Sequence, residues 1–232
     1  MRSRVVVIAR AGRSGATELT TLEAHGAFAL RRTGPHEVHV VGTAAGPLGG
    51  DAIDVRVEVG RGARLDLRGV AATIALPGRV AAPALVRLEV AVGPDAEASV
   101  ALPPVVVTAQ ADVLATTLAQ VDGTLDLVER VQLGRHGEGG GSWTGRLVAD
   151  VAGRPALRQS QRSAGMLTAG WSGLVTRTLL GPQVQARDAA CVGEAYLVPL
   201  ARGGVLWTSF GADLPAAEAA LAALTPPLPS PC

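Results

Sequence analysis

Two short stretches concentrate the residue types that could do chemistry. "GPLGGD" (46–51) sets Gly46, Pro47, Gly49 and Gly50 ahead of the carboxylate of Asp51. "LGRHGEGGG" (133–141) crowds Arg135, His136 and Glu138 into one turn punctuated by Gly134 and Gly137. A glycine-dense loop can cradle a phosphate on its backbone N–H groups. That use requires a lysine, a following Ser or Thr, and a helix whose N-terminus faces the phosphates. The chain contains no lysine, and "GPLGGD" runs into the period-two segment "DVRVEV" (54–59). The dinucleotide-binding fingerprint fails for the same reason, since it too opens a helix. The loop therefore reads as a tight turn. Pro47 presets its own φ, and Gly49 and Gly50 supply conformations with positive φ. Asp51 is then carried at the head of a strand.

In the second loop, His136 beside Glu138 has the composition of a general base with its orienting carboxylate. A small hydrolase using His136 with Glu138 or Asp51 is thus one reading, although no G-x-S-x-G elbow offers a nucleophile. The plainer reading pairs Arg135 with Glu138 as a charge-assisted brace across the turn, with His136 in solvent. The other histidines add little. In "HEVH" (36–39), His36 and His39 fall on opposite faces of a strand, and His25 stands alone. Cys191 and Cys232 are far apart and read as free thiols of a reducing compartment. No high-affinity metal site and no tightly bound cofactor is legible in these residues.

Composition narrows the classes further. The net charge of +1 supplies no broad basic field for nucleic acid. An aromatic content of 3% leaves few rings on which a base or a sugar could stack, which disfavours a polymer-binding module. With no lysine, Schiff-base chemistry is excluded. No apolar run approaches the ~20 residues of a membrane-spanning helix, and "VVVIA" (5–9) is too short for a signal-peptide core. The expectation is a cytoplasmic protein with no membrane partner.

The elements that must position the two loops show in the alternation. "DVRVEV" (54–59) and "RLDLRG" (64–69) flank the turn "GRGA". "VRLEVAV" (86–92) and "EASVAL" (97–102) flank "GPDA", and "ATTLAQV" (115–121) and "LDLVERVQL" (125–133) flank "DGT". Each reads as a strand pair with a hairpin signal, recurring roughly every 30 residues. "SWTGRLVADVAG" (142–153), "ALRQSQRS" (156–163) and the late strands of 194–210 alternate again. One helix is expected over 213–224, capped near Asp213, with Pro215 in its first turn and Leu214, Ala217, Leu221 and Leu224 as its apolar stripe. The expected fold is mainly β: stacked antiparallel strand pairs in a helical, solenoid-like β arrangement with a small helical part near the C-terminus. One β-rich domain should span residues 1–224, followed by a disordered Pro-rich tail over 225–232.

Taken in order, "GPLGGD", "VRVEVGRGARLDL", "LPPVVV" (102–107) and "VERVQLGRHGEGG" resemble the UreD/UreH family of urease accessory proteins. The similarity runs from about residue 20 to 210. The chain departs from the family pattern where "RGVAAT" (68–73) keeps only Thr73 of a Thr-rich stretch, and where "LPPVVV" lacks a polar residue. The resemblance implies a largely β scaffold that is not itself an enzyme. It implies binding to apo-urease, to accessory protein F and to the GTPase accessory protein G, and support of nickel delivery to the urease metallocentre, with nickel held only transiently. On that reading Asp51, Arg135 and Glu138 either line an internal polar path for the ion or brace the loops around it, with Gly46, Gly49, Gly50, Gly134 and Gly137 as the structural turns. The contact with protein F is expected on the C-terminal strands and helix, through Trp207, Phe210, Leu214 and Leu221.

Overall fold

A computed structural model describes residues 1–185 and 187–225. Strands β1 (Arg2–Ala11) and β2 (Thr17–His25) pair antiparallel, as do β3 (Phe28–Arg32) and β4 (Glu37–Gly42). From there the chain coils. β5 (Ala52–Val59) leads to β6 (Arg64–Gly69), and the short β7 (Thr73–Ala75) precedes β8 (Ala84–Val92). β9 (Glu97–Ala101) and the short β10 (Val105–Val107) follow, then β11 (Asp112–Val121), β12 (Thr124–Leu133), β13 (Ser142–Val151) and β14 (Arg154–Arg162). A one-turn helix, α1 (Ser163–Thr168), precedes β15 (Gly173–Leu180), β16 (Ala190–Val192), β17 (Ala195–Pro199) and β18 (Gly204–Gly211), and α2 (Leu214–Leu224) comes last.

The architecture is mainly β and solenoid-like, as the repeating alternation implies. Its pairing, however, is not that of hairpins. β5 and β6 belong to different sheets, as do β8 and β9, and β11 and β12. The ladder bonds run to the equivalent strand of the next coil: β1, β5, β8, β11 and β13 are parallel neighbours in a seven-stranded sheet. β4, β6, β9 and β12 are parallel neighbours in an eleven-stranded one, which β15, β18, β17 and β16 continue antiparallel. The reason is burial. Each strand of a pair presents an apolar row, and folding the pair into an arch sets Val55, Val57 and Val59 facing Leu65 and Leu67 across one core. A flat hairpin would leave one such row uncovered.

Register keeps that core continuous. Val57 pairs with Val90, Val90 with Ala119 and Ala119 with Ala149, all of them buried. A one-residue slip in any coil would turn its whole apolar row outward. Fully burying a Val or Leu side chain is worth roughly 1.5–3 kcal/mol, so the continuous apolar rows of the stack are its main source of stability.

The C-terminal helix forms where the sequence places it. The Asp213 carboxylate accepts a hydrogen bond from the Ala216 N–H at 2.8 Å, and proline occupies the first turn. Ala217 and Leu221 are buried against Val175, Leu197, Val205 and Trp207, with Leu214 and Leu224 packed alongside. No described helix is long and apolar enough to cross a membrane. Of the expected tail only Thr225 is described; the remainder, with Cys232, lies outside the described residues.

Candidate functional site

The 46–51 turn holds its carboxylate inward. Asp51 is 6% exposed. Its Oδ2 accepts from the Leu48 N–H at 2.9 Å, its own N–H donates to the Leu48 carbonyl at 2.9 Å, and its Oδ1 meets the Met1 ammonium. Burial alone would raise the Asp51 pKa. The ammonium and the Leu48 N–H outweigh it, so the carboxyl titrates below its ordinary value. The glycines divide the work differently from the expectation. Gly46 and Gly50 take positive φ, at 131° and 85°, but Gly49 does not. Gly49 is needed because a Cβ there would lie 2.7 Å from the Ala82 carbonyl oxygen and 2.9 Å from the Gly78 nitrogen. Close approach of two backbones excludes a side chain just as positive φ does.

The 133–141 turn is braced. Arg135 Nε donates to Glu138 Oε2 at 2.7 Å, and the Glu138 carboxylate also accepts from the Ala109 N–H at 3.2 Å. These donors, Arg135 foremost, hold the Glu138 pKa below its ordinary value. Gly134 sits at φ 78°, with the Glu138 carbonyl oxygen 2.5 Å from where a Cβ would be. Gly137, at φ 71°, completes the turn. His136 is exposed and makes no hydrogen bond among the described residues, so Glu138 serves Arg135 and not an imidazole.

The fold brings part of each loop to one place. A cavity of about 310 Å³ is lined by Asp51, Gly46 and Pro47 from the first loop and by Arg135 from the second, with Phe28, Ile53, Thr73 and Ile74. Glu138 stands outside its walls. A smaller apolar cavity of about 60 Å³ shares Phe28, Pro47, Ile53 and Thr73 with it, and adds Val86, Leu102, Pro103 and Val105. Those last four also wall a third chamber of about 70 Å³ between the sheets, which reaches Thr117, Glu129 and Trp143. The "LPPVVV" segment is therefore wall to both inner cavities.

Glu129 escaped the sequence reading. Its Oε1 accepts from the Thr117 hydroxyl at 2.8 Å, and its partner across the β12–β15 ladder is Thr176, whose buried hydroxyl has no partner among the described residues. Removal from solvent raises the Glu129 pKa, and the single hydroxyl donor offsets this only in part. The signal was present. In "LDLVERVQL" the inward phase reads Leu125, Leu127, Glu129, Val131, Leu133, and one charge interrupts an otherwise apolar row. Thr117 interrupts the inward phase of β11 in the same way. Among the described residues no three His, Cys, Asp or Glu side chains gather as a metal-holding group.

The residues expected at a partner contact divide by burial. Trp207, 2% exposed, lies beneath α2 with Arg177 and Arg187 over its indole ring, and Leu221 is on the buried face of α2 packed in the same cluster. Phe210 is half-buried, stacked on Trp171 at 4.8 Å and edge-on to Tyr196 at 6.4 Å, and Leu214 is half-buried beside the helix cluster.

Comparison with known proteins places the chain in a family. The family model described as UreD urease accessory protein matches residues 3–224. The urease accessory protein UreD of Frankia alni is 36% identical over 231 residues, covering 94% of this chain and 74% of that protein. The urease accessory protein UreD 1 of Saccharopolyspora erythraea is 40% identical over 209 residues, covering 82% and 77%. The UreD of Streptomyces coelicolor is 33% identical over 231 residues, covering 92% and 91%. With a match to nearly the whole chain and these levels of identity, the chain belongs to the UreD family of urease accessory proteins.

Proposed function

We propose that this chain is a cytoplasmic maturation scaffold that binds apo-urease together with accessory proteins F and G, and that it conducts nickel, as cargo, through the inside of the solenoid. The observation that carries the second part is the run of three cavities with shared walls. A charged mouth at Asp51 and Arg135 adjoins an apolar neck, and beyond the neck stands a chamber with one carboxyl group, Glu129. Such a series suits transit. A divalent ion held by a single carboxylate and a few hydroxyls is bound weakly enough to leave, whereas three or four strong ligands would trap it. Arg135 and Glu138 take the bracing role on this reading, keeping the guanidinium at the rim and tying it to the strand-end backbone at Ala109.

The chain acts here without catalytic chemistry of its own. The His136 hydrolase reading loses support because its carboxylate partner is committed to Arg135. The test is urease activation in cells carrying the urease genes and each variant of this chain. Asp51→Ala and Glu129→Gln should lower activation while leaving the capture of partner proteins unchanged. If Asp51→Ala, Glu138→Ala and Glu129→Gln all left activation intact, the ion-path part would be lost and only a scaffold would remain.

A further inference from the structure

The outer face of the seven-stranded sheet carries a feature that the interior path does not use. At the end of the sheet next to the 46–51 turn, the register sets Ala52, Leu85, Leu114 and Thr144 side by side. Arg2 stands at one end of that row and Arg162 at the other. Two residues further along each strand, on the same face, the next row reads Arg4, Asp54, Arg87, Thr116, Arg146. Leu85 is 49% and Leu114 38% exposed, so the centre of the strip is open and apolar.

The charge is one-sided. Five arginines stand in these two rows against one carboxylate, Asp54, with Glu89 next along the same face of β8, in a chain whose total is only +1. Arg87 pairs with Glu89, but Arg2, Arg4, Arg146 and Arg162 make no ion pair among the described residues. At about 4.8 Å between strands the strip is roughly 24 Å long, the width of one side of a protein–protein contact.

We propose that this strip docks a partner protein that presents acidic side chains around an apolar centre. Exposed leucines inside a rim of arginine match the anatomy of such contacts, which have an apolar middle, a polar margin and arginine in excess. Guanidinium groups are suited to carboxylates, which they engage with two parallel hydrogen bonds. A nucleic acid fits poorly. Neither row carries an aromatic ring for stacking, and the leucines would face the phosphate backbone. The strip begins at Arg2 and Ala52, the chain neighbours of Met1 and Asp51 in the cavity mouth, so a partner seated on it would sit beside that mouth.

The proposal rests on the maturation reading for the identity of its partner, and the test separates the two. The tagged chain is co-expressed with the urease subunits and accessory proteins F and G, and the proteins recovered are compared at low and high salt. Arg146→Glu/Arg162→Glu should reduce recovery of one of them at least about tenfold, and raising the salt should weaken that same contact in the wild type. Arg154→Glu makes the same kind of charge change at the far end of β14 and should recover everything. Arg2→Glu/Arg4→Glu repeats the test from the other end of the strip should the first variant fold poorly, as judged by its melting temperature. Equal recovery by the strip variants and Arg154→Glu overturns the strip while leaving the scaffold standing. Recovery abolished by nuclease, or only a second copy of the chain recovered, also overturns it. If the wild type recovers none of the probes, the maturation reading and the strip fall together.

Discussion

Replacing Glu129 with glutamine separates stability from function, because the two should move in opposite directions. The wild-type carboxyl is half-buried between the sheets with one donor, Thr117 Oγ1 at 2.8 Å, and partial removal from water raises its pKa. A carboxyl with a raised folded-state pKa binds more protons folded than unfolded once the pH exceeds its unfolded value of about 4.3. Stability therefore declines by about 1.4 kcal/mol per pH unit as the pH rises from there to the folded value, and then levels off. Glutamine keeps the shape and an acceptor for Thr117 but never ionises. Glu129→Gln should be more stable than the wild type at pH 8, by on the order of 1–3 kcal/mol given one hydrogen bond in place of full hydration. The gap should close toward pH 4. Urea denaturation at a series of pH values reads this directly, with the slope on denaturant checked for constancy. If Glu129 also holds the passing ion, urease activation should fall in the same variant, a gain in stability with a loss of function. A pH-independent stability difference would refute the assignment of a carboxyl pushed upward by burial. Full activation by the more stable variant would refute its place in the path.

Other outcomes follow from the loops and the core. Asp51→Ala should cost about 1–3 kcal/mol by leaving the Leu48 N–H without its acceptor. Because the Asp51 pKa is lowered, that wild-type advantage should be complete above about pH 5 and disappear as acid titrates the group, which denaturation at low pH would show. Gly134→Ala introduces a Cβ at φ 78° and 2.5 Å from the Glu138 carbonyl oxygen, and should destabilise by more than about 1 kcal/mol, seen as a lower melting temperature. Asp213→Ala removes the α2 cap and should cost about 1 kcal/mol. Leu67→Ala, at a fully buried core position, should cost about 2–5 kcal/mol, and the two losses should add because the sites share no partner.

Sequence alone determined the strand content, the turns near Arg61, Asp95 and Gly123 (though it read them as hairpins), the α2 helix with its Asp213 cap, and the family. Each of these is a local property: side chains alternate in a strand with period two, turns need glycine or proline, and a capped helix shows its stripe within a dozen residues. The order of motifs from "GPLGGD" to "GRHGE" carried the family, because separate loops each hold one. The Arg135–Glu138 brace was legible for the same reason, its partners lying three residues apart. Tertiary structure decided what each strand pairs with. Alternation says that a strand has an apolar face, not whether the next strand covers that face or hydrogen-bonds along its edge, and here burial favoured the arch. The cavities were likewise hidden, since their walls combine residues as distant as Phe28, Asp51 and Arg135. Glu129 falls between the two cases. Its place in the inward phase of β12 is written in the sequence, but only the packing of β12 against β11 and β15 shows that a carboxyl there has a single hydroxyl donor to offset its burial.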